Sequence, residues 1–332
     1  MLKILSFLFG IIAISIILFS ANSTFISSIY AQDTHYYNNN NINQNDSSFL
    51  IKELENIKNI LERKVTKLAT ALQIASSLPQ ILKSPDISLI DSKVKGIPED
   101  EDTEKRKIAK ILLNQFNEFS SIVFSLNNGD VYFVEPFERQ LNLTTNNLSF
   151  RDYYQVVNQT KKTYVSDAII SKSSGRNLAI IATPVINHQN EPIGILSGTI
   201  NFNNYDGFLQ SLNLQNNTRL ALIDKNGVKI GDSNKDETSV SKDSFEKKQF
   251  SNLTSFKLAL EGKSGSIIEK LDKKESQITF LPYDLFQNKR ILLLIQDCNS
   301  NVNNSNKCID DNNNKELNLF NENVLTRLGS FF

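Results

Sequence analysis

The stretch Asn147–Phe202 reads NLSFRDYYQVVNQTKKTYVSDAIISKSSGRNLAIIATPVINHQNEPIGILSGTINF, and its reading decides the fold. Ser149 is a good N-cap residue, so a short helix is expected over Phe150–Val157. Three strand-like runs follow: Thr163–Ile170, Asn177–Ile186 and Pro192–Phe202. Turn residues separate them, Ser-Ser-Gly at 173–175 and His-Gln-Asn-Glu-Pro at 188–192. Leu178-Ala-Ile-Ile-Ala and Ile193-Gly-Ile-Leu-Ser-Gly are apolar on successive residues, which predicts strands covered on both faces. Into this sheet feed one cation and four hydrogen-bonding side chains, Arg151, Tyr153, Tyr154, Tyr164 and Asp167. That combination suits a pocket for a small polar molecule.

Each of these residues has two readings. Arg151 can grip a carboxylate with two parallel hydrogen bonds, or pair with Asp152 at the surface. Tyr153 and Tyr154 are adjacent on a helix, so one is expected to face away, and core packing would explain the other. Tyr164 and Asp167 are three apart and point to opposite faces of a regular strand. Asp167 would attract a ligand amine, or be an edge-strand charge.

The order R-D-Y-Y, T-Y-V-S-D, S-G-R-N-L-A-I-I-A-T-P-V and P-I-G-I-L-S-G-T-I resembles the ligand-binding half of a double Cache domain. These are extracytoplasmic sensor domains of many prokaryotic chemoreceptors and sensor kinases. The resemblance covers about residues 46 to 297. It implies an α+β fold: a long N-terminal helix, then two PAS-like modules with antiparallel sheets, ligand held in the membrane-distal one. Amino-acid-binding members carry a Tyr five residues before an Arg, then Arg-x-Trp-Tyr, and later an Asp on the last strand. Here the Arg is Arg151 and the final Tyr is Tyr154, with Tyr153 in the Trp position. Asn146 stands in the early Tyr position and Thr199 in the late Asp position. Carboxylate recognition carries over and the amine-binding acid does not. The resemblance therefore implies a small organic acid or related polar metabolite, bound by Arg151, Tyr153, Tyr154, Tyr164, Asp167 and Thr199.

The remainder of the chain fits this plan. At residues 1–31, Lys3 precedes an apolar run from Ile4 to Phe19, followed by Ser28-Ile-Tyr-Ala, which reads as a signal peptide or a retained membrane anchor. Either places the rest outside the cytoplasm, secreted or membrane-anchored at the cell surface. Residues 32–47 are a polar tether. A long stalk helix is expected over 48–79, its stripe being Leu54, Ile57, Leu61, Val65, Leu68, Leu72 and Ala75. That stripe packs on its own domain or forms a dimer seam. The distal module would span 80–202, with a helix at Glu104–Phe119, and the proximal module 203–297. Two hairpins rhyme, Ile122–Phe133 and Leu220–Ile230, each with an Asn-Gly turn, a weak internal duplication. The second copy lacks the Arg and Tyr cluster and reads as a spacer.

Residues 298–332 form an Asn-rich tail with a short amphipathic helix. Cys298 and Cys308 are the only cysteines, and outside the cytoplasm such a pair is expected to form a disulfide. Formal net charge is zero, which excludes a polybasic nucleic-acid footprint. The two histidines, His35 and His188, sit in the tether and in a turn. No phosphate loop, nucleophile elbow or metal motif is present, so neither catalysis, a metal nor a cofactor is expected. No second spanning run follows Phe19, so signalling is expected to pass to a separate membrane-bound transducer. The competing classes are a structural or adhesive surface protein with this fold, and a hydrolase.

Overall fold

The computed structural model describes residues 47–170, 177–201, 203–212, 214, 218–234 and 250–298. The expected leader, the tether up to residue 46, Cys308 and the amphipathic tail lie outside the described residues. Among the described residues no helix is long and apolar enough to cross a membrane.

Helix α1 (Ser47–Ser76) is 30 residues long, about 45 Å at the usual rise. All seven stripe residues, Leu54 to Ala75, are buried. They pack against strands of both sheets of the same chain. The helix stops where Pro79 restricts the preceding residue, and the Ser76 and Ser77 hydroxyls donate back to the Gln73 and Ile74 carbonyls. A single turn, α2 (Pro79–Leu82), and a loop then lead to α3 (Thr103–Gln115). The sequence pattern carried α3 on to Phe119, but Phe119 opens the first strand.

The first sheet contains β1 (Phe119–Ser125), β2 (Val131–Glu135), β3 (Tyr164–Val165), β4 (Ile169–Ile170), β5 (Asn177–Ile186) and β6 (Pro192–Asn201). Their order is β2-β1-β6-β5-β3, with β4 also on β5. The second sheet contains β7 (Thr218–Asp224), β8 (Lys229–Asp232), β9 (Gly265–Leu271), β10 (Lys274–Leu285) and β11 (Asn288–Asp297), in the order β8-β7-β11-β10-β9. Both sheets are antiparallel and share one topology, as two copies of a single module would. The short helices α4 (Phe137–Leu141), α5 (Asp152–Thr160), α6 (Asn203–Ser211) and α7 (Thr254–Leu260) complete the described elements.

The duplication extends to its turns. In each hairpin only the glycine has positive φ, +91° at Gly129 and +78° at Gly227, and a register slip follows. Tight two-residue Asn-Gly turns would put both residues there, so these are bulged turns instead. A Cβ on Gly129 would lie 2.6 Å from Ser149 Cβ, and one on Gly227 would lie 2.8 Å from Ser251 Cβ. Each glycine is therefore required twice, by its φ and by a serine packed against it.

Two local expectations shift. Ser149 does not cap α5: its hydroxyl donates to Asn147 Oδ1 at 2.6 Å, and the helix begins at Asp152 with Arg151 as N-cap. The run Thr163–Ile170 is not one strand; Ser166–Ala168 separates β3 from β4. The physical reason is a set of contacts with the second sheet, described below.

Candidate functional site

Helix α5 lies across one face of the first sheet, α1 across the other. Register assigns the faces: Ile180 opposes Thr199, Ala182 opposes Ser197, and Ser121 opposes Thr199 on the far side. Residues directly opposite share a face. Tyr153, Tyr154 and Val157 of α5 pack with Tyr164, Ile180, Ala182 and Ile195, so this face looks toward α5. Both sides of the sheet are covered, as the apolar runs predicted.

The aromatic pair divides its work. Tyr154 donates its hydroxyl to the Leu126 carbonyl at 3.0 Å and to Asn127, bracing α5 against the β1–β2 hairpin. Tyr153 is buried, and its hydroxyl has no hydrogen-bond partner among the described residues. Burial pushes its phenol up, Asp152 adds to this, and the Arg151 charge opposes it. Arg151 and Tyr153 stand two residues apart at the start of α5. Arg151 lies over the Phe150 ring at 4.9 Å and makes no ion pair with Asp152 or another described residue.

Thr199 is buried on the floor, where its Oγ1 accepts from Ser121 Oγ at 2.9 Å. Ser197, also buried, faces the same way and has no partner among the described residues. Sequence reading missed Ser121 and Ser197. A signal was present: Ser197 and Thr199 are polar at alternate positions of an otherwise apolar strand, the period of a single face.

Tyr164 and Asp167 meet the second sheet. Tyr164 packs its ring in the α5 cluster while its hydroxyl accepts from Asn288 Nδ2 at 3.2 Å. Burial and the Asp167 and Asp152 charges, opposed by Arg290, push its phenol up to about 12. Asp167 accepts from Arg290 Nη1 at 3.2 Å and pairs with Lys225 Nζ at 2.9 Å. Its carboxylate is thus occupied within the protein. On the α1 face a cleft of about 450 Å³ is lined by Gln73, Thr163, Thr183, Phe286 and Gln287 among others, and does not touch Arg151, Tyr153 or Thr199. Three of its polar groups form a chain: Gln73 Nε2 donates to Thr163 Oγ1 at 2.7 Å, which bonds Thr183 Oγ1 at 3.0 Å.

A Cache domain family model matches residues 10–295. The chain belongs to the Cache domain family. Cache domains are extracytoplasmic ligand-binding sensors, and that is the class of this chain. Among solved structures the fold is similar to the periplasmic sensory domain of the Campylobacter jejuni chemoreceptor Tlp1, at TM-score 0.55 and 13% identity, covering 77% of this chain and 96% of that one. It is also similar to the ligand-binding domain of the Pseudomonas aeruginosa amino-acid chemoreceptor PctC in complex with GABA, at TM-score 0.51 and 13% identity, covering 73% and 94%. An extracellular ligand-binding receptor from Desulfohalobium retbaense matches at TM-score 0.52 and 15% identity; the match covers 71% of this chain and 38% of that one. No curated protein matches the sequence. In this Cache domain the strand residue expected at the late Asp position is Thr199, whose hydroxyl accepts from Ser121.

Proposed function

We propose that the first-sheet module binds a small carboxylate between α5 and the face bearing Ser121, Ser197 and Thr199. Arg151 holds the carboxylate at the rim. Tyr153 offers its hydroxyl, which has no partner among the described residues, and the floor supplies neutral hydroxyl groups. Tyr154 and Tyr164 shape the walls. The observation that carries this reading is the state of the acids. Asp167, which could have received an ammonium group, is already paired with Arg290 and Lys225. The late strand position holds a threonine. A guanidinium with neutral hydroxyls as its proposed companions favours an anion over a zwitterion.

A thermal-shift screen of the full chain against small mono- and dicarboxylates, their 2-amino counterparts and purines tests this reading. Carboxylates should stabilise more than their amino counterparts. Hydrogen bonds to charged groups contribute about 1.5–3 kcal/mol each, and the part-exposed position of Arg151 favours the low end. Since about 1.4 kcal/mol is one decade, Arg151→Ala should weaken binding of the best carboxylate by roughly tenfold or more in titration calorimetry. Undiminished binding by Arg151→Ala would place the pocket elsewhere or make the ligand non-anionic. A screen with no stabilising compound would favour a structural or adhesive role.

A further inference from the structure

The segment Thr163–Ala168 is held from two sides. Toward the candidate site, Tyr164 packs in the α5 cluster. Ser166 N donates to the Ile180 carbonyl at 2.9 Å, and Ser166 Oγ accepts from Ile180 N at 2.9 Å. Ile180 is the direct register partner of Thr199 on the floor. Toward the second sheet, every residue of the segment has a partner. Gln287 Nε2 donates to the Thr163 carbonyl at 3.4 Å. Asn288 Nδ2 donates to Tyr164 Oη and to the Val165 carbonyl, both at 3.2 Å. Arg290 donates to the Ser166 carbonyl at 2.6 Å and to Asp167 Oδ1 at 3.2 Å. Ala168 N donates to Asp224 Oδ2 at 3.3 Å.

The partners on the second sheet are themselves firmly placed. Asn288, Arg290 and Asp224 are 1%, 3% and 0% exposed, so these bonds are made out of water, where breaking one leaves an unsatisfied group. Asn288 and Arg290 open β11, which lies between β7 and β10 in the sheet. The turn before them places Phe286 at φ +45° and Gln287 at +68°. Neither residue favours the left-handed region, so the turn costs energy that its surroundings must offset. Docking on Thr163–Ala168 supplies that offset.

We propose that Arg290 and Asn288, although they belong to the second module, are positioning residues of the pocket in the first. Thr163–Ala168 is then the conduit by which a change at the floor reaches the second sheet. This deepens the carboxylate-binding reading and rests on it for what the pocket is, but the coupling itself needs no ligand to be measured. A change that moves Ile180 moves Ser166, because two bonds join them. Movement of Ser166 and its neighbours reaches β11, because the Arg290 guanidinium bonds both Ser166 and Asp167.

Hydrogen exchange by mass spectrometry on the ligand-free full chain tests the coupling. Arg290→Met and Asn288→Ala should each raise exchange by severalfold in 152–160 and 195–201, well beyond the residues they touch. Ile180→Val, a floor change, should raise exchange in 286–297. In the Arg290→Met background the same Ile180→Val change should add nothing there. A merely structural Arg290 would give additive effects in the double variant, and that result overturns the proposal, as does an Ile180→Val effect confined to the first sheet. If Arg290→Met does not fold, Lys225→Met removes the part-exposed arm of the Asp167 pairing together with the bond that Lys225 Nζ donates to Asn288 Oδ1 at 3.1 Å. It should raise exchange in the same segments by a smaller factor, and no change in them would equally overturn the proposal. Since no ligand enters, a failed ligand screen leaves this outcome standing, and a failed coupling leaves the ligand reading standing.

Discussion

Replacing Thr199 by Asp tests the chemistry of the floor directly. Thr199 is 6% exposed and its Oγ1 accepts from Ser121 Oγ at 2.9 Å. An aspartate there keeps one acceptor for Ser121 but brings a buried charge with no cation beside it. An uncompensated buried charge costs about 3–5 kcal/mol, and the charge-assisted bond from Ser121 returns about 1.5–3 kcal/mol. The ligand-free variant should therefore be less stable than wild type by roughly 2 kcal/mol, a drop of about 3 °C in midpoint for a chain of this size. An ammonium group arriving at the new carboxylate reverses this. Each charge-assisted bond contributes about 1.5–3 kcal/mol, so preference should move by about ten- to a hundredfold toward the 2-amino counterpart of the acid that wild type retains. Calorimetric titration of both proteins with both compounds gives the four affinities. If the ratio of the two affinities is the same in wild type and Thr199→Asp, position 199 does not face the ligand and the assignment of this face falls.

Three further outcomes follow from particular residues. Gly129→Ala places a Cβ 2.6 Å from Ser149 and takes an alanine to φ +91°, so urea unfolding should show a loss of at least about 1–2 kcal/mol; Gly207→Ala, where nothing lies within 4 Å, is the control. Asp224 is raised above 3.8 by burial, with Asp167 adding and backbone hydrogen bonds and Arg290 opposing. A raised acid contributes stability that is complete below 3.8 and lost as pH rises through the folded value, so Asp224→Asn should gain on wild type in thermal unfolding as pH rises above 3.8; a flat or opposite trend rejects the assignment. Unreduced peptide mapping should find Cys298 linked to Cys308, a loop whose closure stabilises by about 3 kcal/mol in the chain-entropy model, and two alkylatable thiols in native material would reject it.

The fold was legible where the signal is local and periodic. The seven residues of the α1 stripe are all buried because a helix facing one core repeats its apolar positions at 3.6. The two hairpins were legible because Gly129 and Gly227 meet steric demands set within their own turns. Their turn type was not, because the packing serines, Ser149 and Ser251, stand some twenty residues further along. Helix α5 was found and its start misplaced by the same kind of choice. Asn147 offers Ser149 a closer partner than the helix does, and the chain turns once more before Asp152.

The site was legible in its residue types and not in their division of labour. Arg151, Tyr153, Tyr154, Tyr164 and Thr199 do gather around one sheet face and the helix above it. Nothing local in T-Y-V-S-D says that Asp167 will meet Arg290, since the two stand 123 positions apart. Strand periodicity would have put Tyr164 and Asp167 on opposite faces. The break at Ser166–Ala168 cancels that rule and turns both polar ends toward β11. The second module, which carries no Arg and Tyr cluster, looked like a spacer when read alone. It does supply Asn288 and Arg290, two buried donors whose side-chain acceptors, apart from the Lys289 carbonyl, lie in the other half. The second module thus bears on the first, since Tyr164, at the wall of the candidate site, is held from outside the module that contains it.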